Sequence, residues 1–284
     1  MSIVVTGSTG HLGKLVVEGL LEKVPADQIT AVARSREKAA GFAARGVKVA
    51  IADYNAPETL DGLLSAGDKV LLISGNEIDK GRVGQHTVIL DAAKAAGVAL
   101  LAYTSGPGSL TAALADDHRG TEEAISASGV PYVLLRNGWY SENYTEQLAP
   151  VLEHNAVVQA AGEGRVASAA RADYAAAAVA VLTGEGHENK TYELSGDVAW
   201  SFSEYAAEVS RQTGREIVYS PVSVEDFTGI LAGAGLPGPL AAIIAGVDAS
   251  IEKGELAGTD GTLSRLIGRP TTPIADSIGA GLKG

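Results

Sequence analysis

The chain opens with a short apolar run, Ile3-Val-Val5, which stops at a glycine-rich turn and gives way to helical periodicity through Leu15, Val16 and Leu20. A run followed by that period reads as a strand feeding a helix. The alternation repeats along the first half. Strands are expected at Ile3–Val5, 28–34, 47–52, 69–73, 99–104 and 132–136, with helices over about 11–23, 35–45, 57–66, 82–96 and 116–128. Val70-Leu-Leu-Ile73 and Val133-Leu-Leu135 are continuously apolar. Strands of that kind are covered on both faces, which predicts an α/β fold on a Rossmann-type, doubly wound parallel sheet. An Ala-rich helix over 171–182 and a strand at 191–194 extend it.

Beyond that strand the pattern turns helical, over 201–213, 223–232, 240–253 and 259–267, with Ser, Thr or Pro at the starts. The Gly- and Pro-rich stretch 233–239 reads as a loop between two of them. The expected division is a nucleotide-binding domain over 1–142, completed by about 171–198, and a smaller, mainly helical substrate lobe over 143–170 and 199–284. In an open α/β fold such a lobe would close over the carboxyl ends of the strands.

The turn Gly7-Ser-Thr-Gly10-His-Leu-Gly13 sits between that first strand and helix. Glycines there permit a tight turn and close approach, and the helix N-terminus offers free N–H groups to a pyrophosphate. Gly7, Ser8, Thr9, Gly10, His11, Leu12 and Gly13 are therefore the candidate phosphate loop. A glycine-rich turn without a ligand is the alternative. At the end of the second strand NAD enzymes place an acid, whereas an Arg accommodates the 2′-phosphate of NADP. Here Arg34 stands first in Arg34-Ser-Arg-Glu-Lys38, so NADPH is the expected cofactor. Asp53 would meet the adenine amino group or cap the helix starting near Pro57. Ser74, Gly75 and Asn76 would lie beside the nicotinamide ribose. Tyr103, Thr104 and Ser105 end the fifth strand, as hydroxyls facing ribose or substrate or as buried hydroxyls bonded locally. Asn137, Gly138, Trp139 and Tyr140 follow the sixth. Asn137 would bind a carbonyl oxygen, and Trp139 or Tyr140 would stack on a flat ring or pack into the lobe.

Twenty-two basic against thirty-four acidic residues give a net charge of −12, which disfavours nucleic-acid partners. No apolar run approaches a membrane span, and no signal peptide is evident. The absence of cysteine fits a cytoplasmic protein without disulfides or thiolate chemistry. Asp, Glu and His show no metal-ligand spacing, so no metal is expected. A homodimer is left open.

The chain resembles the NmrA-like, atypical short-chain dehydrogenases, and within them the NADPH-dependent type 2 quinone oxidoreductases. The resemblance spans essentially the whole length. It rests on Val5-Thr-Gly-Ser-Thr-Gly-His-Leu-Gly13, Ala52-Asp-Tyr54, Ala92-Ala-Lys-Ala-Ala-Gly-Val98 and Ala102-Tyr-Thr-Ser105. It continues through Leu134-Leu-Arg-Asn-Gly-Trp-Tyr-Ser-Glu-Asn-Tyr144, Ala167-Ser-Ala-Ala-Arg-Ala-Asp-Tyr174 and Leu266-Ile-Gly-Arg-Pro-Thr271. Triphenylmethane dye reductases are similar too, in Gly186-His-Glu-Asn-Lys-Thr-Tyr192 and Pro221-Val-Ser223. The resemblance implies hydride transfer from NADPH to a quinone without flavin. It also places His118 where relatives carry a catalytic lysine, as a candidate proton donor whose pKa Asp116 and Asp117 would raise. The alternative is a surface histidine at a helix start. Asn137, Tyr140 and His118 are thus the candidate catalytic residues. Arg171 and Asp173 would tie the two domains, or Arg171 would reach the cofactor.

Ordinary short-chain dehydrogenases use a Tyr-x-x-x-Lys pair to protonate an alkoxide. Here Tyr103 leads to Pro107 and Tyr132 to Arg136, so the pair is missing. A reduced quinone is a delocalised phenolate and needs that acid less. The same lack fits a dinucleotide-sensing regulator, the rival function among NmrA-like proteins.

Overall fold

The computed structural model describes residues 2–75, 81–111 and 115–283. In chain order the elements begin β1 (Ile3–Val5), α1 (His11–Leu21), β2 (Ile29–Ala33), α2 (Ala40–Ala43), β3 (Lys48–Ile51) and β4 (Lys69–Leu72). They continue with α3 (Arg82–Ala96), β5 (Leu100–Ser105), α4 (Asp116–Ala127), β6 (Tyr132–Asn137), α5 (Glu142–Thr145) and α6 (Leu148–His154). Next come β7 (Ala156–Gln159), β8 (Arg165–Val166), α7 (Arg171–Thr183), β9 (Lys190–Leu194), β10 (Trp200–Ser201) and α8 (Phe202–Thr213). β11 (Val218–Pro221), α9 (Val224–Gly233), α10 (Gly238–Glu252), α11 (Thr262–Ile267) and α12 (Ile274–Gly281) complete the chain. None of the described helices is long and apolar enough to cross a membrane.

Contacts divide the chain into two compact units, the first formed by residues 1–106, 117–137 and 171–193. Its sheet runs β3-β2-β1-β4-β5-β6-β9, with parallel registers such as Ile3↔Ile29, Ile3↔Lys69, Lys69↔Leu100 and Leu101↔Tyr132. This is the expected doubly wound order. The inner strands are apolar throughout because helices cover both faces: Val70, Leu71, Leu72, Leu101 and Val133 have no exposed surface. Two expected helices shrink. The Arg34–Lys38 stretch folds into turns ahead of the four-residue α2, and 57–66 yields only a 3-10 turn at Pro57–Leu60. Gly62, at φ 69, stops the second.

The second unit comprises residues 107–116, 138–170 and 194–284. The expected helices 201–213, 223–232 and 240–253 form as α8, α9 and α10. Ser201 caps α8 in a reciprocal bond pair with Glu204, and Ser223 caps α9. Two features escaped the pattern. β8 pairs antiparallel with β10 and β7 parallel with β11, in strands of two to four residues that are too short to show a period. The core here is aromatic: Tyr144, Trp200 and Phe202 meet edge-to-face at centroid distances of 5.1–5.4 Å.

Asp248 of α10 is buried beside that core and accepts from the Ala160 N–H at 2.7 Å, docking α10 onto the end of β7. Burial pushes its carboxyl up to about 7, only partly opposed by the Ala160 bond, and its charge is felt by the Tyr144 and Tyr219 hydroxyls. The ordinary value is about 4, so between pH 4 and 7 the folded chain keeps a proton that the unfolded chain has released. Stability therefore falls as pH rises through that window, by up to about 4 kcal/mol. Asp248→Asn removes the ionisation and keeps an oxygen for Ala160. Denaturant unfolding should show the variant level with wild type near pH 4 and more stable than it at pH 8, by up to the same amount of about 4 kcal/mol. Parallel stability curves for the two proteins would contradict the assignment.

Candidate functional site

Because the sheet is parallel, the carboxyl ends of its strands share one edge. Along that edge, in sheet order, stand Asp53 after β3, Arg34 after β2, Gly7 after β1, Ser74 and Gly75 after β4, Tyr103 and Thr104 in β5, and Asn137 at the end of β6. Residues scattered over a hundred positions in sequence are thus gathered by topology alone. Asn76 lies outside the described residues.

At the middle of the edge Gly7 adopts φ 60, a left-handed conformation, and its carbonyl accepts from the Gly10 N–H at 3.0 Å. Gly13 packs directly on this turn: a Cβ there would lie 2.3 Å from the Gly7 oxygen and 2.7 Å from Ser8 Cα. Gly10 caps α1 in an extended conformation with no side-chain cap bond. The first-turn N–H groups of α1 thereby remain for an anion. Ser8 works from below. It is fully buried, and its N–H and hydroxyl both donate to the Val32 carbonyl, at 3.2 and 2.8 Å, tying the turn to β2. Its side chain is a brace, in contrast to the expected ligand contact. Thr9 is half-buried, His11 exposed and Leu12 buried in the α1 core face.

Arg34 is exposed at the tip of β2. Asp53 closes its own turn: Oδ1 accepts from the Asn55 N–H at 2.9 Å and from Asn55 Nδ2 at 3.2 Å. These bonds lie within its own turn and do not cap Pro57–Leu60, whose cap residue is Ala56. The Thr104 hydroxyl accepts from the Ser74 N–H at 2.9 Å, locking β4 to β5.

Tyr103 has no exposed surface, and its phenol meets His118 Nδ1 at 2.8 Å. His118 Nε2 in turn faces Arg82 at 3.1 Å. A guanidinium only donates, so Nε2 is the acceptor, the ring is neutral, and Nδ1–H donates to the Tyr103 oxygen. Burial, then the Arg82 charge and His86, hold the His118 pKa down at about 3. The expected upward shift does not occur. Asp117 faces Arg82 at 3.9 Å, and desolvation outweighs any acid nearby. His118 is half-buried, with both ring nitrogens engaged, one by Tyr103 and the other by Arg82. Tyr103 is a buried hydroxyl, bonded to a side chain in place of the local backbone.

In the second unit, residues 138–141 run alongside 167–170. Ala169 donates to the Trp139 carbonyl at 3.2 Å and accepts from the Ser141 N–H at 2.9 Å, while Gly138 N–H reaches Leu194 O at 2.7 Å. Trp139 packs against the aromatic core, which is the packing role anticipated for one of the pair, and Tyr140 is half-buried. Arg171 begins α7 in the first unit, with Asp173 buried in its first turn.

A family model described as NAD(P)H-binding matches residues 7–185, the span that contains this strand edge. The chain belongs to the NAD(P)H-binding family. It is 47% identical over 278 residues to quinone oxidoreductase 2 of Escherichia coli (strain K12), covering 97% of each chain. It superposes on the crystal structure of the NADPH-dependent quinone oxidoreductase from Escherichia coli complexed with NADPH at a TM-score of 0.95, with 46% identity over 99% of this chain and 100% of that one. The triphenylmethane reductase of Citrobacter sp. matches at a TM-score of 0.94, with 41% identity over the whole of both chains. The resemblance drawn from the motifs therefore holds along the full length.

Sequence reasoning missed the groups behind the edge, namely Arg82, Gln85 and His86 of α3. All three are buried. The signal was present, since they fall at the spacing of Ile89 and Ala93, on the face that turns inward.

In this family member the turn itself gives a sharp test. Gly13→Ala drives a Cβ into backbone that no rotamer change relieves, with an expected cost of about 3 kcal/mol or more and loss of NADPH binding. Gly10→Ala meets nothing closer than the Gly7 oxygen at 3.3 Å and should cost about 1 kcal/mol or less. Unfolding by denaturant and NADPH titration of both variants check this; equal losses would show that the turn has room to spare.

Proposed function

We propose that the protein is an NADPH-dependent quinone reductase that passes a hydride directly from NADPH to a quinone, with no flavin. One observation carries this reading. Tyr103 and His118, the side chains at the strand edge best suited to act as acids, are hydrogen-bonded to each other, the first fully buried and the second half-buried. A ketone reductase would leave its alkoxide unprotonated there. A quinone tolerates the arrangement, because its reduced anion is a delocalised phenolate that takes a proton from water. The full-length likeness to quinone oxidoreductase 2 supports the same substrate class.

The chain's residues fit the cofactor. The Gly7–Gly13 cradle, which a Cβ would fill, and the uncapped start of α1 receive the pyrophosphate. Arg34 at the β2 tip takes the 2′-phosphate. When bound, NADPH supplies the hydride. Asn137, buried at the end of β6, offers its amide to a quinone carbonyl. Catalysis is then mostly positioning. The cysteine-free, acidic chain is assigned to the cytoplasm.

Steady-state oxidation of NADPH and NADH by purified, flavin-free protein with a simple benzo- or naphthoquinone is the direct test. Fast turnover with NADPH preferred is expected, and Arg34→Asp should reverse the preference by about tenfold or more. NADPH binding without turnover of any quinone or dye would favour the sensing regulator, and an unchanged preference would place 2′-phosphate recognition elsewhere. Asn137→Ala should lower kcat/KM for the quinone by about tenfold to a hundredfold while NADPH affinity stays within about threefold. Equal losses in both would make Asn137 structural.

A further inference from the structure

The inward face of α3 carries three polar side chains where apolar ones would pack, and each grips the end of a different strand. Gln85 Nε2 donates to Asn55 Oδ1 after β3, at 2.9 Å. Arg82 donates to His118, which holds Tyr103 of β5. His86 holds the loop after β4, where Gly75 N–H donates to His86 Nε2 at 3.0 Å.

The donors and acceptors around His86 can be assigned one by one. Nε2 accepts from a backbone N–H, so it carries no proton. Nδ1 must then be the N–H, and it lies 2.9 Å from the Thr121 hydroxyl. Thr121 is free to accept because its own proton goes to the Asp117 carbonyl at 2.8 Å. The chain runs one way, Gly75 N–H to His86, His86 N–H to Thr121, Thr121 O–H to Asp117. A protonated ring would set two N–H groups against each other at Gly75. Burial, with the Arg82 charge beside it, keeps His86 neutral by lowering its pKa to about 4.

We propose that His86 is a positioning residue for hydride transfer, fixing the Ser74–Gly75 backbone through the Gly75 amide so that this loop presents its carbonyls to the nicotinamide half of the cofactor. The inference rests on the NADPH-reductase reading for its chemistry and on the hydrogen-bond chain for its geometry. It explains why a histidine stands at a core position of α3. A leucine would fill the space and take away the acceptor of the half-buried Gly75 N–H. It also separates two halves of cofactor binding. The glycine turn and Arg34 grip the phosphates, whereas His86 acts on the reacting end. A loose grip there lengthens the hydride path with little effect on affinity, and misplacement of about 1 Å costs up to about a hundredfold in rate.

The test compares His86→Leu with His86→Gln, whose amide can accept from Gly75 and donate to Thr121. His86→Leu should lower kcat about tenfold to a hundredfold while the NADPH dissociation constant moves less than about threefold. Its isotope effect with NADPH deuterated at the transferred position should rise, and amide exchange at Gly75 should quicken in the absence of cofactor. His86→Gln should restore most of the rate. Wild-type kcat and isotope effect in His86→Leu would overturn the proposal. So would equal falls of kcat, NADPH affinity and melting temperature in both variants, or failure of both to fold, since His86 would then only support the core. Should wild type itself reduce no quinone, the functional reading fails, while Gly75 exchange in the two variants still decides whether His86 holds the loop.

Discussion

The contact on which the strand edge depends is the one between Gly13 and the Gly7 carbonyl. With 2.3 Å between that oxygen and a hypothetical Cβ, α1 lies on the end of β1 with no side chain between them. This closeness does two things at once. It aims the first-turn N–H groups of α1 across the turn, and it brings Ser8 down onto β2, where its two bonds to Val32 fix the neighbouring strand tip that carries Arg34. The first-turn amides proposed to bind phosphate and the arginine proposed for the 2′-phosphate are therefore set by one packing event. Dipolar donors held this rigidly need little reorganisation when an anion arrives.

Behind the edge, the face of α3 shows how a fold brings charge and neutral histidine together without making a titrating site. Arg82 is buried, and its positive charge raises the free energy of an imidazolium at both His86 and His118. Desolvation pushes the same way. The two rings are thus kept as neutral donors and acceptors, each with a single tautomer fixed by what faces it. Asp248 in the other unit is the opposite case: burial there favours the neutral acid, so its carboxyl rises as the histidines fall. The first group removes stability as pH climbs past the carboxylate range. The histidines remove it as pH drops below about 6.5, where the unfolded chain takes up protons that the folded chain refuses until about 4 and below.

How much of this was legible in the chain follows from where the information sits. The continuous apolar runs at Val70 and Val133 announce parallel, doubly covered strands, and Arg34 at the second strand tip is a local signal read at one position. The short strands β7, β8, β10 and β11 left no mark, because two to four residues cannot display a period and their partners lie far away in sequence. His118 shows the same limit in chemistry. Its neighbours in sequence are acids, and that suggested a raised pKa. The fold desolvates the ring and sets Arg82, thirty-six positions away, beside it, and the shift is reversed. Ser8 and Asp53 lie at the strand edge, where the Ser8 hydroxyl and Asp53 Oδ1 bond to groups that only the folded turns bring within reach.

The electrostatics of the whole chain sharpen the meaning of this local design. A protein of net charge −12 repels a polyanionic cofactor at long range. Screening confines that repulsion, since beyond about 8 Å salt at physiological strength largely removes it. Within that distance the proposed site would offer uncapped amides, the positive end of α1 and Arg34. The global field therefore lowers the rate of encounter more than the affinity, and discrimination falls to the few groups inside one screening length. On the proposed reading, an exposed arginine at a strand tip, worth little as a surface charge elsewhere, would thus suffice to choose between two cofactors that differ by a single phosphate. The reacting end carries no phosphate to grip, and in the proposed arrangement it is left to hydrogen-bond geometry and to the neutral histidine that accepts from the Gly75 N–H.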